Sequence, residues 1–381
     1  MERHHLLTLC LIGVLAVADS SGEIRFAHYN ILASYLGKNS EPWFLLPLNI
    51  SSEFRDSLLT RYYRKDEHGV CSSGFHDAFG GLLNSMDMAQ VEEYNRQFFD
   101  WNVRGPLVIG VVQSLDADII SLVEMDRFDE FAQALAGEYD GAFAKRPRPE
   151  SLDGSSLFWR HDRFELVGEP MNFTFQDWEP TECDEYHEDR VMVAAALRDR
   201  HSGDIIVVAS VHLARNPEDK GKDPMRMLEV SQMMRGLSCF VTQVHATGLV
   251  IMGDFNAVPQ SFTHAFLLHG WQDCPEADKN MRGVFDKVVW QSGEGLCTTK
   301  TLARALWIDY IFYSNATMDV AEAPQVDTCP DGPIPDGRHP SDHIPLQATL
   351  RVRPGAGALS HRAALTEEVG TAQCFVPEQS A

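Results

Sequence analysis

Long apolar runs are scarce in this chain. After residue 18 no stretch reaches eighteen unbroken apolar positions, which excludes an ordinary membrane-spanning helix there. Positive charge is also in short supply: 32 Lys and Arg stand against 55 Asp and Glu, a formal net charge of −23. That argues against a long basic footprint for nucleic acid, so a polyanionic substrate has to be met locally, through a metal. Solubility is the plainer use of the same acidity. No two cysteines form a C-x-x-C pair, so the sequence offers no zinc-like thiolate pair. A P-loop and a dinucleotide-binding glycine fingerprint are both absent, and no internal repeat is visible.

What is present is the composition of a folded protein. Across 381 residues, 44% hydrophobic and 10% aromatic side chains exclude wholesale disorder and suffice for one large domain or two ordinary ones. Arg3, His4 and His5 precede the apolar run 6–18, which closes on Ala16-Val17-Ala18. This is the grammar of a secretory signal peptide, residues 1–18, with an uncleaved anchor as the rival reading. Sequons at Asn49, Asn172 and Asn315 agree with secretion. Without Cys10 seven cysteines remain, an odd number that permits at most three bridges and leaves one thiol over. Cys239, inside an apolar helical pattern, reads as a buried thiol. The expected setting is secreted or otherwise extracytoplasmic, with no membrane insertion after signal cleavage and no obligate protein partner.

Strand and helix patterns alternate along the chain. Strands are expected at 24–31, 118–123, 155–160, 191–198, 204–211, 249–252, 307–313 and 345–350, and helices at 107–115, 128–135, 225–243 and 261–268. Segment 41–99 is less regular, with helical pieces at 54–63 and 88–98. It reads as an elaboration of the main domain, a lid or rim, because it holds no second core pattern. The Pro- and Gly-rich stretch 329–340 is expected to be a loop, and 353–381 a loose tail with partial helix at 360–368. Many strands, some joined as hairpins, together with several helices predict an α/β protein: a mixed-sheet sandwich covered by helices.

Segment 249–261, LVIMGDFNAVPQS, is the most informative. A buried strand ends in Gly253-Asp254-Phe255-Asn256, so a carboxylate and a carboxamide two residues apart point to one face. They stand at the mouth of a core strand, where α/β proteins put their chemistry. Asp and Asn also cap turns routinely, but here the arrangement recurs. Asn30, Glu124, His212, Asp254 with Asn256, Asp309, and Asp342 with His343 each end or adjoin an apolar run: FAHYN, DIISLVE, IIVVASVH, LVIMGDFN, LWIDYIF and PSDHIPL. Any one has a bland explanation, Asp309 as an acceptor of backbone bonds or His212 as a satisfied core histidine. Together they point to a shared site, because buried charge is paired or ligates. Oxygen-rich donors with few nitrogens and no thiolates favour a hard cation, Mg2+, with Mn2+ or Ca2+ as alternatives. Carboxylates beside two histidines suit phosphoryl chemistry, in which a metal neutralises phosphate charge and side chains handle protons.

In these residues the chain resembles the endonuclease/exonuclease/phosphatase superfamily, and within it the branch of yeast-type deadenylases, nocturnin, Angel proteins and the 2′-phosphodiesterase. The resemblance is carried by Tyr29-Asn30-Ile31-Leu32-Ala33, Trp101-Asn102-Val103-Arg104, the run 117–124, and Asp153-Gly154 before the strand 157–160. It continues through Val211-His212-Leu213 with Asn216-Pro217, the run 253–261, Ile308-Asp309-Tyr310-Ile311 and Ser341-Asp342-His343-Ile344-Pro345-Leu346, covering roughly 24–350 in order. It implies a four-layer α/β/β/α sandwich of two packed mixed sheets, a catalytic domain over 19–352, and metal-dependent cleavage of a phosphoester. By the same resemblance Glu124 is the metal carboxylate, with Asn30 beside it and Asp342 helping the metal or a bound water. Asp254 and Asn256 position the attacking water and a phosphate oxygen. His343, held by Asp309, stands at the phosphate, and His212 contacts it from another side. Asp254 and His343 both fit the logic of a general base.

Departures from the family pattern bear on the substrate. Relatives usually carry Gln-Glu where this chain has Val123-Glu124, and commonly Asn where it has Arg190. Arg190 either binds phosphate, as in the pancreatic-deoxyribonuclease branch, or pairs at the surface with Asp189 or Glu188. Lys145 is a further phosphate candidate, and both cations are expected to border the pocket. Segment 41–99 is longer than in those relatives, and a secretory signal is unusual for a deadenylase. The expected activity is Mg2+-dependent hydrolysis of phosphoester bonds in RNA or a related nucleotide substrate. A secreted deoxyribonuclease-like endonuclease and a nucleotide 2′/3′-phosphatase are the alternatives within the same chemistry; a non-catalytic interaction domain is the alternative outside it. Trp43, Phe44, Trp178 and Trp271 are either stacking surfaces for bases or packing.

Overall fold

Strands 119–123, 191–197 and 248–254 are buried at every position, because both of their faces are covered. The computed structural model describes residues 22–36, 46–62, 81–149, 151–176, 190–269, 285–287, 296–302, 304–322 and 329–359. Its elements run β1 (Glu23–Asn30), α1 (Ser52–Tyr62), α2 (Ser85–Phe98), α3 (Trp101–Ser114), β2 (Ile119–Val123), α4 (Phe128–Leu135), β3 (Tyr139–Lys145) and β4 (Gly154–Arg160). They continue with β5 (Phe164–Leu166), β6 (Met171–Thr174), β7 (Val191–Asp199), β8 (Ile205–His212), α5 (Asp223–Val244), β9 (Gly248–Asp254) and α6 (Phe262–His269). The last are β10 (Phe285–Lys287), β11 (Thr299–Lys300), β12 (Ala305–Leu306), β13 (Asp309–Ser314), β14 (Met318–Glu322) and β15 (Leu346–Val352).

Two mixed sheets result. One has the order β14-β15-β1-β2-β4-β3, with β1 and β2 parallel; the other has β10-β13-β9-β8-β7-β5, with β6 also on β7 and with β8 and β9 parallel. Ile24, Phe26, Leu157 and Trp159 of the first sheet meet Val193, Val208, Met252 and Ile311 of the second between them. Helices α3 and α4 cover the first sheet's outer face through Val108, Val112, Phe131 and Leu135. Helices α5 and α6 cover the second through Val230, Met233, Leu237 and Phe266. This is an α/β fold of four layers, α/β/β/α.

At one edge the inward-facing side chains turn from apolar to polar. Along β1 they read Ile24, Phe26, His28, Asn30; along β8 Ile206, Val208, Ser210, His212; along β9 Val250, Met252, Asp254. Ser121 follows Ile119 on β2, and Asp309 precedes Ile311 on β13. A fully buried aliphatic side chain contributes roughly 1.5–3 kcal/mol, so each such replacement forgoes stability that only a specific use offsets.

Several short or edge strands were not expected: β3, β5, β6, β10, β11, β12 and β14. β3 contains Asp140 and Gly141 and owes its strand state to pairing with β4 along its whole length. Cys239 is half-buried on α5 rather than buried, and Cys297 is disulfide-bonded to Cys329. Residues 353–359 are tied to the domain: Arg353 N–H donates to Thr317 O at 2.8 Å and Leu359 N–H to Ala246 O at 2.7 Å. Within 41–99, α1 and α2 match the expected helical pieces, and Tyr94 on α2 donates its hydroxyl to Pro335 O at 3.0 Å. Among the described residues no helix is long and apolar enough to cross a membrane. The signal segment 1–18, the helix expected at 360–368, the four tryptophan and phenylalanine stacking candidates, and Cys71, Cys183, Cys274 and Cys374 lie outside the described residues.

Candidate active site

Strand register brings the polar strand ends to one place. Parallel pairing sets Asn30 opposite Val123, so Glu124 follows at the same edge. His212 is opposite Asp254 in the parallel β8–β9 pair, and Asp309 is opposite Asp254 in the antiparallel β13–β9 pair. β15 runs antiparallel to β1 with Leu346 opposite His28, which returns Asp342 and His343 to that edge. Glu124 and Asn256 both have positive φ, 58° and 47°, a backbone state uncommon outside glycine and concentrated at functional sites. Gly253 is required by close approach: a Cβ there would lie 2.1 Å from Val211 O, pushing the end of β9 and Asp254 with it.

The side chains touch. Asn30 Nδ2 donates to Glu124 Oε1 at 3.2 Å and to Asp254 Oδ2 at 3.1 Å. Its Oδ1 is taken by Leu32 N–H at 3.1 Å, so the Asn30 amide links the two carboxylates through its nitrogen. Asp254 Oδ2 lies 3.6 Å from His212 Nε2 and 3.7 Å from His343 Nε2. Its Oδ1 accepts Asn256 N–H at 2.9 Å, and Asn256 Nδ2 donates to Leu213 O at 3.2 Å. His343 Nδ1 is 2.8 Å from Asp309 Oδ2. Asp254, Asp309 and His343, all buried, each offer one ligand atom within 4.8 Å of the others, a group able to hold a divalent cation. All eight strand-end residues named from the sequence are thus in one cluster, seven of them buried and Glu124 half-buried, with Asp342 preceding His343 and acting electrostatically on Glu124.

The electrostatics are those of crowded carboxylates. Burial first, then Asp342 and Asp153, push Glu124 up to about 7. Burial and Asp309 push Asp254 up to about 6. Burial works against protonation of His343, but Asp309 and Asp342 overcome it and raise the imidazole to about 10. Asp309 is held well below the carboxylate range: burial would raise it, and His343 and His28 outweigh that. His212 is driven well below its ordinary value by burial, Arg190 and Arg146, and is therefore neutral. Among the described residues nothing hydrogen-bonds the buried Asp342 carboxylate. Three acidic groups crowded here, two of them raised despite the nearby His343 imidazolium, fit a divalent ion, whose charge would favour their ionised forms.

Two sequence-derived cations behave differently. Arg190, just before β7, is 5% exposed; its Nε has no partner, and among the described residues no carboxylate pairs with it. Its charge reaches His212. Asp189 and Glu188, its alternative partners, lie outside the described residues. Lys145 Nζ donates to the carbonyls of Arg146, Arg148 and Ser151 at 2.8–3.0 Å and so closes its own loop. The cation that acts on the pocket from this loop is Arg146, which also pairs with Asp153 at 3.4 Å. Sequence reasoning passed over Arg146 because nothing distinguishes it from its basic neighbours Lys145 and Arg148.

Four residues in contact with this cluster or its backbone were also missed. Arg104, 1% exposed, donates to Ile31 O, Leu32 O, Ala33 O and Pro340 O at 2.6–3.1 Å, locking the turn after β1 to the segment that carries His343. Ala33 N–H in turn donates to Glu124 Oε2 at 3.0 Å. Thr298 Oγ1 accepts Asp309 N–H at 3.1 Å, while Thr299 Oγ1 donates to Asp342 O at 2.9 Å. His28 contacts Asp309, and its signal was its spacing: two residues before Asn30 on the same face.

Segment 297–300 thus braces both Asp309 and His343, and its first residue is half of the Cys297–Cys329 bridge, which closes a 32-residue separation. Replacing both cysteines by serine should lower stability by roughly 2–4 kcal/mol and reduce kcat more than it raises KM. Chemical denaturation with steady-state kinetics checks this; wild-type kcat in the double variant would remove the brace from the account.

The comparisons agree with this geometry. The Endonuclease/Exonuclease/phosphatase family matches residues 101–343, and the chain belongs to that family. It is 24% identical over 304 residues to Carbon catabolite repressor protein 4 homolog 4 of Arabidopsis thaliana, covering 66% of this chain and 71% of that protein. It is 25% identical over 307 residues to the CCR4-Not complex 3′-5′-exoribonuclease subunit Ccr4 of Candida albicans, covering 67% of this chain but 38% of that longer protein. The crystal structure of ANGEL2, a 2′,3′-cyclic phosphatase, matches with a TM-score of 0.58 at 18% identity, over 86% of this chain and 95% of that one. At that identity the last likeness speaks for the fold. Family, fold and the Asp254–Asp309–His343 cluster make this chain a metal-dependent hydrolase related to RNA-acting phosphodiesterases.

Proposed function

We propose that this protein is a Mg2+-dependent phosphodiesterase that hydrolyses phosphoester bonds in RNA or a related nucleotide, and that it works in an extracytoplasmic compartment. The observation that carries the reading is the convergence of half-buried Glu124 and buried Asp342 and Asp254 with the Asp309–His343 pair, beside Arg190, which among the described residues has no carboxylate partner. Glu124 and Asp342 would hold the cation, with Asn30 keeping Glu124 and Asp254 at fixed spacing. When bound, Mg2+ supplies charge neutralisation at the phosphate oxygens. Asp309 is left out of that ligand set because both its oxygens face imidazoles, Oδ1 that of His28 and Oδ2 that of His343.

Acid and base roles follow from the charge states. His343, raised to about 10, carries its proton at neutral pH and suits donation to, or charge stabilisation at, the phosphate. Asp254, raised to about 6, is ionised at pH 7 yet basic enough to accept a proton from an attacking water, which makes it the better general base. Asn256 and neutral His212 hold the phosphate from either side. The exoribonuclease among its relatives favours RNA; the guanidinium of Arg190 is the feature that favours the deoxyribonuclease-like alternative. The Cys297–Cys329 bridge supports an oxidising setting.

Incubating the purified protein with RNA, single- and double-stranded DNA, cyclic nucleotides and nucleotide monophosphates, each with Mg2+ or EDTA, tests the reading. Mg2+-dependent cleavage of RNA or a nucleotide diester is expected; phosphate release from monoesters alone would convert the assignment to a phosphatase. R190A should lower kcat/KM for every cleaved substrate, by roughly 10–100-fold if a charge-assisted bidentate contact of about 1.5–3 kcal/mol is lost. An unchanged profile would return Arg190 to a structural role.

A further inference from the structure

Beneath the dyad lies a second imidazole that the proposed chemistry does not use. His28 is fully buried on the inward face of β1. Its Nε2 is 3.1 Å from Asp309 Oδ1, and its Nδ1 is 3.0 Å from Ser121 Oγ. Ser121 in turn shares a 2.7 Å hydrogen bond with Ser210 Oγ on the opposite sheet. One carboxylate therefore carries two imidazoles, His343 on Oδ2 from the 341–345 segment and His28 on Oδ1 from β1. The four groups Ser210, Ser121, His28 and Asp309 form a continuous polar chain across the gap between sheets, where the layer immediately below is Phe26, Ile119, Val208 and Ile311.

We propose that His28 is a positioning residue for the reaction, the group that sets the orientation of Asp309 and through it the Nε2 face of His343 toward Asp254. A carboxylate held on one oxygen only can rotate about its terminal torsion, and an imidazole bonded to it turns with it. Engaging Oδ1 with a ring that is itself pinned at its other nitrogen removes that freedom, as partners of catalytic and metal-bound imidazoles do. The register explains why β1 can supply it. Asn30 and His28 are successive inward positions on one strand, so the residue that links the carboxylates and the one that braces the dyad share one rigid element. The relay also spans β1 and β2 of one sheet and β8 and β13 of the other, so it fixes the two sheets relative to each other at the edge where they jointly build the site.

This inference rests on the phosphodiesterase reading for its kinetic arm, and a structural arm stands apart from it. His28→Ala is expected to lower kcat by roughly 10–100-fold with KM and calorimetric Mg2+ affinity unchanged, whereas His28→Gln, which restores a side-chain N–H toward Asp309, should recover most of the loss. Ser121→Ala, a smaller change, should give a milder loss of kcat and serves where His28→Ala proves too unstable to assay. In protein labelled with 15N-histidine, the ring resonances of His343, identified by their absence in His343→Gln, should shift in His28→Ala and Ser121→Ala and return in His28→Gln. Unmoved His343 resonances in folded His28→Ala and Ser121→Ala, or a His28→Gln protein as impaired as His28→Ala, would reduce His28 to a satisfied core histidine. A wild-type protein that cleaves no phosphoester would sink the functional reading and leave the resonance test standing.

Discussion

Replacing His343 by alanine is expected to depress kcat by roughly 10²–10⁴-fold, the range of a positioned acid–base group, while Mg2+ affinity stays close to wild type. The reason is geometric and electrostatic together. His343 Nδ1 is bound to Asp309 Oδ2 at 2.8 Å, its Nε2 looks toward Asp254 at 3.7 Å, and its proton is retained up to about pH 10. The rate profile therefore does not wait on a histidine titrating near pH 6.5. The acidic limb of the rate profile should instead follow Asp254, whose carboxyl is pushed up to about 6, so that base function is lost as pH falls through that value. Asp309→Asn should give a related, smaller defect, because it keeps the ring in place and removes the charge that keeps it protonated. Isothermal titration with Mg2+ beside pH–rate profiles measures both. Equal loss of metal binding in H343A and E124A would make His343 a ligand; full activity in H343A would mean the cluster has a different centre.

Glu124→Ala should weaken Mg2+ binding, with activity partly recovered at high Mg2+. Proton linkage makes a sharper form of the same expectation. With Glu124 raised to about 7, the folded metal-free protein holds a proton there that the cation must displace. Affinity should therefore fall as pH drops below 7, by up to about tenfold per pH unit, and the slope should vanish in E124Q. Stability follows the same sign. The unfolded chain gives up the Glu124 proton near 4.5 and the folded one near 7, so this group's contribution to stability is lost as pH rises through that window. Added Mg2+ should then raise Tm more at pH 8 than at pH 5.5, and E124Q should flatten the difference. A Mg2+-induced Tm shift that is the same at both pH values would remove Glu124 from the metal site.

Much of the site was legible because buried charge is conspicuous. Asn30, Glu124, His212, Asp254, Asn256, Asp309 and His343 each break an apolar strand pattern at its end, and a strand end has only one edge to go to once the register is set. Arg104 and Thr298 carry no such mark. Arg104 sits in a helix and Thr298 in a loop, and each acts through carbonyls or N–H groups of segments distant in the chain. Lys145 and Arg146 are adjacent basic residues, and only the folded contacts separate them: the Lys145 ammonium is taken by backbone carbonyls, while the Arg146 charge reaches His212.

Hydrophobic period, read from the chain alone, determined the α/β class and the main strands and helices, and the polar residues at strand ends marked a carboxylate–histidine cluster able to hold a divalent cation. Those follow from local rules, since two-residue and three-to-four-residue periodicities are properties of single segments. Tertiary structure alone decided the edge strands such as β3, whose half-exposed pattern contains no period and which forms because β4 offers unpaired backbone groups along its length. It also decided that Cys297 bonds Cys329, and that Asp309 is shared between His343 and His28. Each of these joins residues about 30 to 280 positions apart, as the separations of 32, 34 and 281 record. Such distances are bridged by sheet register and loop closure, which no segment encodes by itself.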